Sequence, residues 1–399
     1  MKNKRLSIFI VLCILLFQVG FLLKPEQAFA TENNNSDNTE KYIIEENSEK
    51  LKSLYDYINK IKVENKTLGN INPEELINNY IERGESGIGL NEIITLILNI
   101  LFKEIKVVLK LMLSVLTVAI LCSFLKNLQD AFKNESISNI AFFACYSILI
   151  VILSRSLLIS IGVATEVIKN ICDFMAILLP VLVSMIAISG GLVQAATMDP
   201  LVLGAVTLIP KIYKAVIIPL ILIHCALQFA NNISEEHKID NLCKLTKQTV
   251  LLLQGLIITF FIGLLTIRGI TADTMDAVAL KTTKFAVDNF IPIVGKTFSD
   301  AITSVAGYSL IIKNAISGLG LTVILLIILY PIIKLIAMTY IYKISAALIE
   351  PISDKRITSS ISVVGDSMTL LLSCVISVSF MFFILLGIIA QASKFVVGG

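Results

Sequence analysis

The sequence from Ser367 to Ala390, SMTLLLSCVISVSFMFFILLGIIA, contains no charged side chain. A helix of this length crosses the ~30 Å hydrocarbon core of a bilayer. Similar apolar stretches occupy residues 107–125, 140–162, 174–193, 250–267, 201–230 and 318–348. The pattern predicts an all-α, polytopic membrane helix bundle with about seven spans.

Composition excludes several other classes of protein. Of the 399 residues, 56% are hydrophobic and only 16% are charged, whereas a soluble domain carries about a quarter charged residues. The net charge of +3 is too small to indicate nucleic acid as a partner. A soluble enzyme, a disordered regulator and a nucleic-acid-binding domain are therefore excluded, and the lipid bilayer is the first predicted partner.

The N-terminus has the features of a secretory signal peptide. Lys2, Lys4 and Arg5 precede an apolar stretch, and Ala28-Phe29-Ala30 supplies the small-x-small pattern of a cleavage site. We expect residues 1–30 to be removed after Ala30, and an uncleaved signal anchor is the alternative. Either arrangement places the residues after 30 on the extracytoplasmic side.

Residues 31–92 form a polar segment that we expect to be extracytoplasmic and helical. Leu51, Leu54 and Ile58 recur at helical spacing, and Asn72 is the cap of a second predicted helix. The multi-spanning membrane domain covers 93–399. Its first ten residues, 93–102, are predicted to be interfacial, because charged residues follow them directly.

A second amphipathic helix is predicted at 272–288, lying in the interface or over the mouth of a cavity. Asp273, Asp276, Lys281, Lys284 and Asp288 fall on one side of a helical wheel. Pro292 and Gly295 then break the helix and favour a re-entrant turn. If 290–312 is re-entrant, the chain crosses seven times and ends inside; if it crosses fully, the C-terminus lies outside.

The sequence contains a candidate internal repeat. Leu208-Ile209-Pro210 recurs as Leu329-Tyr330-Pro331, and Leu251-Leu252-Leu253 recurs as Leu370-Leu371-Leu372. These matches define repeat units of about 170–267 and 289–390. With three embedded segments each, the second unit is expected to be inverted, as in many transporters. Two similar hairpins without functional symmetry are the alternative.

Several intramembrane residues are candidates for a cavity or hinge. Lys211 and Lys214 follow Pro210, and Lys334 follows Pro331, so the lysines are expected either to line one cavity or to snorkel to the headgroups. Gly190 and Gly191 belong to a small-residue face suited to close helix packing.

No motif for ATP hydrolysis or proteolysis occurs in the sequence. The two histidines, His224 and His237, are too few for a metal centre. We therefore expect no enzymatic activity, no metal and no cofactor.

Two polar motifs resemble those of a known family. The first runs from Lys284 through Asp288, Asn289, Pro292 and Gly295 to Ala301; the second, Leu348 to Ile357, contains Glu350, Pro351, Asp354, Lys355 and Arg356. Both resemble the stage III sporulation protein AE family, as do Ser189-Gly190-Gly191, the signal peptide and the chain length.

The resemblance implies a function beyond what the residues alone indicate. Members of that family are made in the mother cell of endospore-forming bacteria and lie in the membrane around the engulfed forespore. They belong to a hetero-oligomeric channel complex with a secretion-type ATPase, ring-forming proteins and a forespore channel protein. On this resemblance the membrane domain is a permease-like or export-gate-like core needed for late forespore transcription. The alternative is a stand-alone secondary transporter for a small solute.

Overall fold

A computed structural model describes residues 48–64, 90–132, 135–233, 239–290 and 295–391. Within these ranges the chain is helical and has no strand, which confirms the predicted all-α class. The signal peptide with Ala28 and Ala30, the helix predicted at Asn72, and Pro292 lie outside these ranges. The α-helices are α1 (Ser48–Glu64), α2 (Leu90–Phe132), α3 (Glu135–Ile188), α4 (Leu192–Ile212), α5 (Ile218–Ile233), α6 (Asp240–Phe290), α7 (Gly295–Ile349) and α8 (Lys355–Gln391).

Helices α2 to α8 form an up-and-down bundle. A π-helical turn, Tyr213–Ile217, joins α4 to α5, so these two act as one long element. At one end, Ser123 of α2 donates a hydrogen bond to the carbonyl of Ile352, which lies between α7 and α8. At the other end, Ser309 of α7 donates to the carbonyl of Met185 in α3 at 2.8 Å. We call the end with the Ser123–Ile352 contact the Asp354 end, and the end with the Ser309–Met185 contact the Gly190 end.

The helices are longer than a bilayer is thick. Helix α3 has 54 residues and α7 has 55, which at 1.5 Å per residue makes each about 80 Å long. In the part of the chain that the structure describes, six helices are long and apolar enough to cross a membrane, which confirms a multi-pass bundle of about the predicted size. The count is six because the span predicted at 140–162 and most of the one predicted at 174–193 lie on one uninterrupted helix, α3, with Pro180 inside it.

Helix α7 changes the expectation for 290–312. It runs unbroken from Gly295 into the predicted span 318–348, so residues 295–312 are not a separate re-entrant segment. The predicted break itself is present, since α6 ends at Phe290 and α7 begins at Gly295. Because successive helices run in opposite directions, with α4 and α5 counted as one element, α2 begins and α8 ends at the Gly190 end.

The two segments predicted to lie in the interface are also parts of longer helices. Residues 93–102 belong to α2, and residues 272–288 belong to α6. Neither forms a separate helix at an angle to the bundle, because no residue in either stretch ends the helical pattern.

Helices α7 and α8 occupy the centre of the bundle. No side chain is exposed between Val305 and Thr339 of α7, or between Ile357 and Ala390 of α8. A helix that is apolar on all sides is buried either in lipid or in protein. Here protein supplies most of the cover, and α2, α3, α5 and α6 present the exposed apolar side chains.

Helix α1 packs on the outside of α3. Leu54 and Ile58 are fully buried, the Tyr57 ring stacks on Phe174 with centroids 6.2 Å apart, and the Tyr57 hydroxyl donates to the Asn170 carbonyl. The amphipathic pattern of α1 therefore docks the N-terminal segment on the bundle near its Gly190 end.

Candidate functional site

The second family motif forms the turn between α7 and α8. Asp354 caps α8, because its carboxylate accepts a hydrogen bond of 2.8 Å from the backbone N–H of Arg356. The same carboxylate forms an ion pair of 3.2 Å with the Arg356 guanidinium. Capping by aspartate satisfies a backbone donor that the helix leaves unpaired. Asp354 and Arg356 thus build the turn, while Glu350, Pro351 and Lys355 are exposed on its surface.

A network of amide and hydroxyl groups lies directly beside this turn. Asn232, at the end of α5, donates to Ser360 of α8 at 3.2 Å and accepts from Ser359 at 3.0 Å. Ser360 also contacts the Tyr146 hydroxyl of α3 at 2.8 Å. Sequence reasoning missed these residues, because their only signal is an amide pair, Asn231-Asn232, at the end of an apolar stretch.

The repeat units meet at Gln254 and Ser373. Each residue directly follows the matching triple leucine, and the Ser373 hydroxyl donates to the Gln254 side-chain carbonyl at 2.8 Å. The matched segments form two helical hairpins, the joined α4 and α5 with α6, and α7 with α8. Both α6 and α8 begin at the Asp354 end, so the two hairpins run in the same direction. The inversion expected from an odd number of segments is therefore not present, and the repeat itself stays a prediction.

Gly190 and Gly191 form the turn between α3 and α4. Gly190 has φ of 96°, a left-handed conformation that glycine adopts without steric cost. The Gly191 and Gly190 N–H groups donate to the carbonyls of Ile186 and Ala187, so α3 ends in a Schellman motif. These glycines thus end a helix here, rather than providing a packing face.

A carboxylate from α6 closes the same turn. Asp276 accepts hydrogen bonds of 2.8 Å and 2.9 Å from the backbone N–H groups of Val193 and Gln194 in the first turn of α4. A negative charge at a helix N-terminus is favourable, because the unpaired N–H groups carry partial positive charge. Asp276 was predicted on an exposed charged face of an interfacial helix; it is 3% exposed and caps a helix 83 residues away in sequence.

The structure does not bring the candidate cavity lysines together. Lys211 and Lys214 are exposed, and Pro210 immediately precedes Lys211 at the end of α4. Lys334 is half-buried, with its ammonium 5.5 Å from the centroid of the Tyr330 ring and 3.4 Å from its hydroxyl. Only Lys334 therefore faces the interior of the bundle.

Glu104 is the acidic residue near Lys334 that sequence reasoning missed. It is 3% exposed, and both its carboxylate and the Lys334 ammonium interact electrostatically with the Tyr330 hydroxyl. Because Lys103 and Lys106 flank it, the sequence suggested a solvated interfacial position. Helical geometry instead turns Glu104 towards α7 while both neighbouring lysines are exposed.

The first family motif spans the connection from α6 to α7. Asp288 and Asn289 belong to the last turn of α6, Gly295 is the first residue of α7, and Pro292 lies outside the described residues. In the part of the chain that the structure covers, no three His, Cys, Asp or Glu side chains come together as metal ligands.

Comparison with known proteins agrees with both motifs. The sequence profile of stage III sporulation protein AE matches residues 71–393. Stage III sporulation protein AE of Bacillus subtilis (strain 168) is 29% identical over 328 residues, which is 82% of each chain. No solved structure matches the chain. The profile covers most of the chain, from the polar segment to the end of α8, and the chain belongs to the stage III sporulation protein AE family.

Proposed function

We propose that this protein is a non-enzymatic membrane component of the channel complex between mother cell and forespore. The observation that carries the proposal is the family match over residues 71–393, which includes both polar motifs. On this proposal the protein lies in the mother-cell-derived outer forespore membrane. Its membrane domain is the permease-like or export-gate-like core needed for late forespore transcription.

The proposed partners are a secretion-type ATPase, ring-forming proteins and the forespore channel protein. The sequence has no nucleotide-binding P-loop, so an energy source from a partner suits it. At the exposed tip of the 350–355 turn, Glu350 and Lys355 offer charged groups on either side of the exposed Pro351, and α7 and α8 hold this tip in place.

A stand-alone secondary transporter has less support. That alternative depended on an inverted repeat around proline-broken helices, and the two hairpins run in the same direction. Solute uptake by the purified protein alone in vesicles would favour it over the channel component.

The test is a deletion strain complemented with the wild-type gene. We expect the deletion to complete engulfment, to fail in late forespore transcription and to form heat-resistant spores at a small fraction of the wild-type yield. A fluorescent fusion should label the membrane around the engulfed forespore. Normal spore yield in the deletion strain would contradict the proposal.

A further inference from the structure

Along the peripheral helices α2, α3 and α6, the distance between charged residues matches the thickness of the hydrocarbon core of a bilayer. Along α2 the interval without a charged residue runs from Lys110 to Lys126, along α3 from Glu135 to Arg155, and along α6 from Lys247 to Arg268. The intervals are 16, 20 and 21 residues long, or about 24–32 Å of helix, which is close to the ~30 Å thickness of the hydrocarbon core. The bilayer therefore fits the half of the bundle next to the Asp354 end.

The inner boundary of that half is marked by exposed basic side chains on three neighbouring parts of the bundle. We call them the basic ring: Lys103, Lys106 and Lys110 on α2, Arg155 on α3, and Lys211 and Lys214 beside the π-helical turn. Between the ring and the Asp354 end, the exposed side chains are mainly large and apolar, such as Leu113 at 60% and Val151 at 67% exposure. Long basic side chains at such a boundary reach the headgroup phosphates.

Beyond the basic ring the exposed surface of α3 becomes charged, while α2 exposes a mixture of apolar Ile94 and Leu98 with polar Thr95 and Asn99. On α3 the exposed residues Glu166, Lys169 and Asp173 share one face, while Ile171 and Phe174 are fully buried. A helix with a charged outer face and an apolar inner face is typical of water-exposed protein. The amphipathic helix α1 packs at this level, which supports the same conclusion.

We propose that the basic ring binds the phosphate groups of lipid headgroups, and that the bundle beyond it stands in water on the side of α1. The projecting part includes the α3 residues after Arg155, about 50 Å of helix at 1.5 Å per residue. Hydropathy hides this boundary because α7 and α8 are enclosed by other helices and stay apolar on both sides of it. The stretch 174–193 is apolar because it packs on α7, and it does not cross the membrane.

Cysteine accessibility tests the position of 174–193. Ala176 on α3 and Ala196 on α4 are both exposed beyond the basic ring. Ala176→Cys and Ala196→Cys should react with a charged, membrane-impermeant thiol reagent from the same side, and Ile352→Cys should react from the opposite side. Labelling of the two alanine positions from opposite sides would show that 174–193 crosses the membrane and would overturn the proposal. The parent chain supplies the baseline for its own cysteines.

Tryptophan fluorescence measures depth independently, because the chain contains no tryptophan. Val151→Trp and Ala176→Trp, each in the full chain in nanodiscs, differ by about 38 Å along α3. Lipids brominated on the acyl chain should quench Val151→Trp several-fold more than Ala176→Trp, and aqueous iodide should do the reverse. Equal quenching of both variants by the brominated lipid would overturn the proposed boundary.

The lipid contact is tested by changing the basic ring itself. Anionic phosphatidylglycerol should raise the unfolding temperature of the wild-type chain more than phosphatidylcholine does, since lysines near an anionic surface are attracted to it. The triple variant Lys103→Gln, Lys106→Gln, Lys110→Gln should lose most of that difference. Lys169→Gln, outside the ring, should keep it. An unchanged difference in the triple variant, or an equal rise with inorganic phosphate in detergent, would contradict binding of lipid headgroups.

Discussion

The carboxylate of Asp276 accepts a hydrogen bond of 2.8 Å from the backbone N–H of Val193, although α6 and α4 are far apart in the sequence. This contact fixes α6, 14 residues before its end at Phe290, to the turn that reverses the chain between α3 and α4.

Replacing this carboxylate should weaken the Gly190 end. Asp276→Ala leaves the first N–H groups of α4 without their acceptor, and we expect a loss of about 1–2 kcal/mol in the free energy of unfolding. Asp276→Asn keeps one acceptor and should cost less. Thermal unfolding in nanodiscs measures the effect, and Glu166→Gln, an exposed change on α3, should leave the unfolding temperature unchanged. Equal unfolding temperatures for Asp276→Ala and wild type would rule out a capping role.

The left-handed glycine makes a second prediction. Gly190→Ala forces a Cβ into a φ of 96°, which should destabilise the protein by about 1–2 kcal/mol. Gly204 is the matched control, because it lies within α4 and a Cβ built there meets no atom within 4 Å. Gly204→Ala should be neutral or stabilise the helix by up to about 1 kcal/mol. The measurement is the same unfolding assay, and a Gly190→Ala variant as stable as Gly204→Ala would contradict the assignment of the turn.

The third prediction concerns the buried carboxylate between α2 and α7. Glu104→Gln and Tyr330→Phe should be coupled by about 1 kcal/mol or more in a double-mutant cycle, because both groups belong to one buried polar contact with Lys334. The control cycle uses Glu166 and Lys169, which are both exposed and lie one helical turn apart on α3. Exposed pairs contribute less, about 0.2–1 kcal/mol. Additive effects at Glu104 and Tyr330 would mean that the two side chains do not interact.

Much of the architecture could be predicted from sequence because it depends on local patterns. Apolar length predicted the helices, and proline and glycine predicted the break between Phe290 and Gly295, whereas the glycines that form the turn at Gly190 were predicted to be a packing face inside a span. Hydropathy could not separate lipid-facing helices from central ones, because a side chain on α7 or α8 is equally apolar in either place. The same holds for the part of α3 that packs on α7: it is as apolar as a span and was predicted as a separate one. The predicted number of spans was therefore seven rather than six.

The polar contacts were harder to predict because each joins distant parts of the chain. Asp276 looked like part of a charged face, since nothing near it in sequence identifies the N-terminus of α4 as its partner. Glu104 looked solvated for the same reason. Asp354 was the exception: its cap is local, two residues from its N–H donor, and the motif that contains it was selected from sequence.

The fourth prediction separates structure from function within the 350–356 turn. Asp354→Ala removes the cap of α8 and the ion pair with Arg356, so it should lower the free energy of unfolding by about 1–2 kcal/mol. Glu350→Ala changes an exposed side chain that has no such role and should leave the unfolding temperature within the error of the wild type.

If the tip of the turn contacts a partner in the channel complex, Glu350→Ala should nevertheless reduce the yield of heat-resistant spores, at an unchanged protein level on an immunoblot. Lys169→Gln, an equally exposed change outside the turn, should leave the yield unchanged. A normal yield for Glu350→Ala would restrict this motif to building the turn, because the fold requires Asp354 but not Glu350.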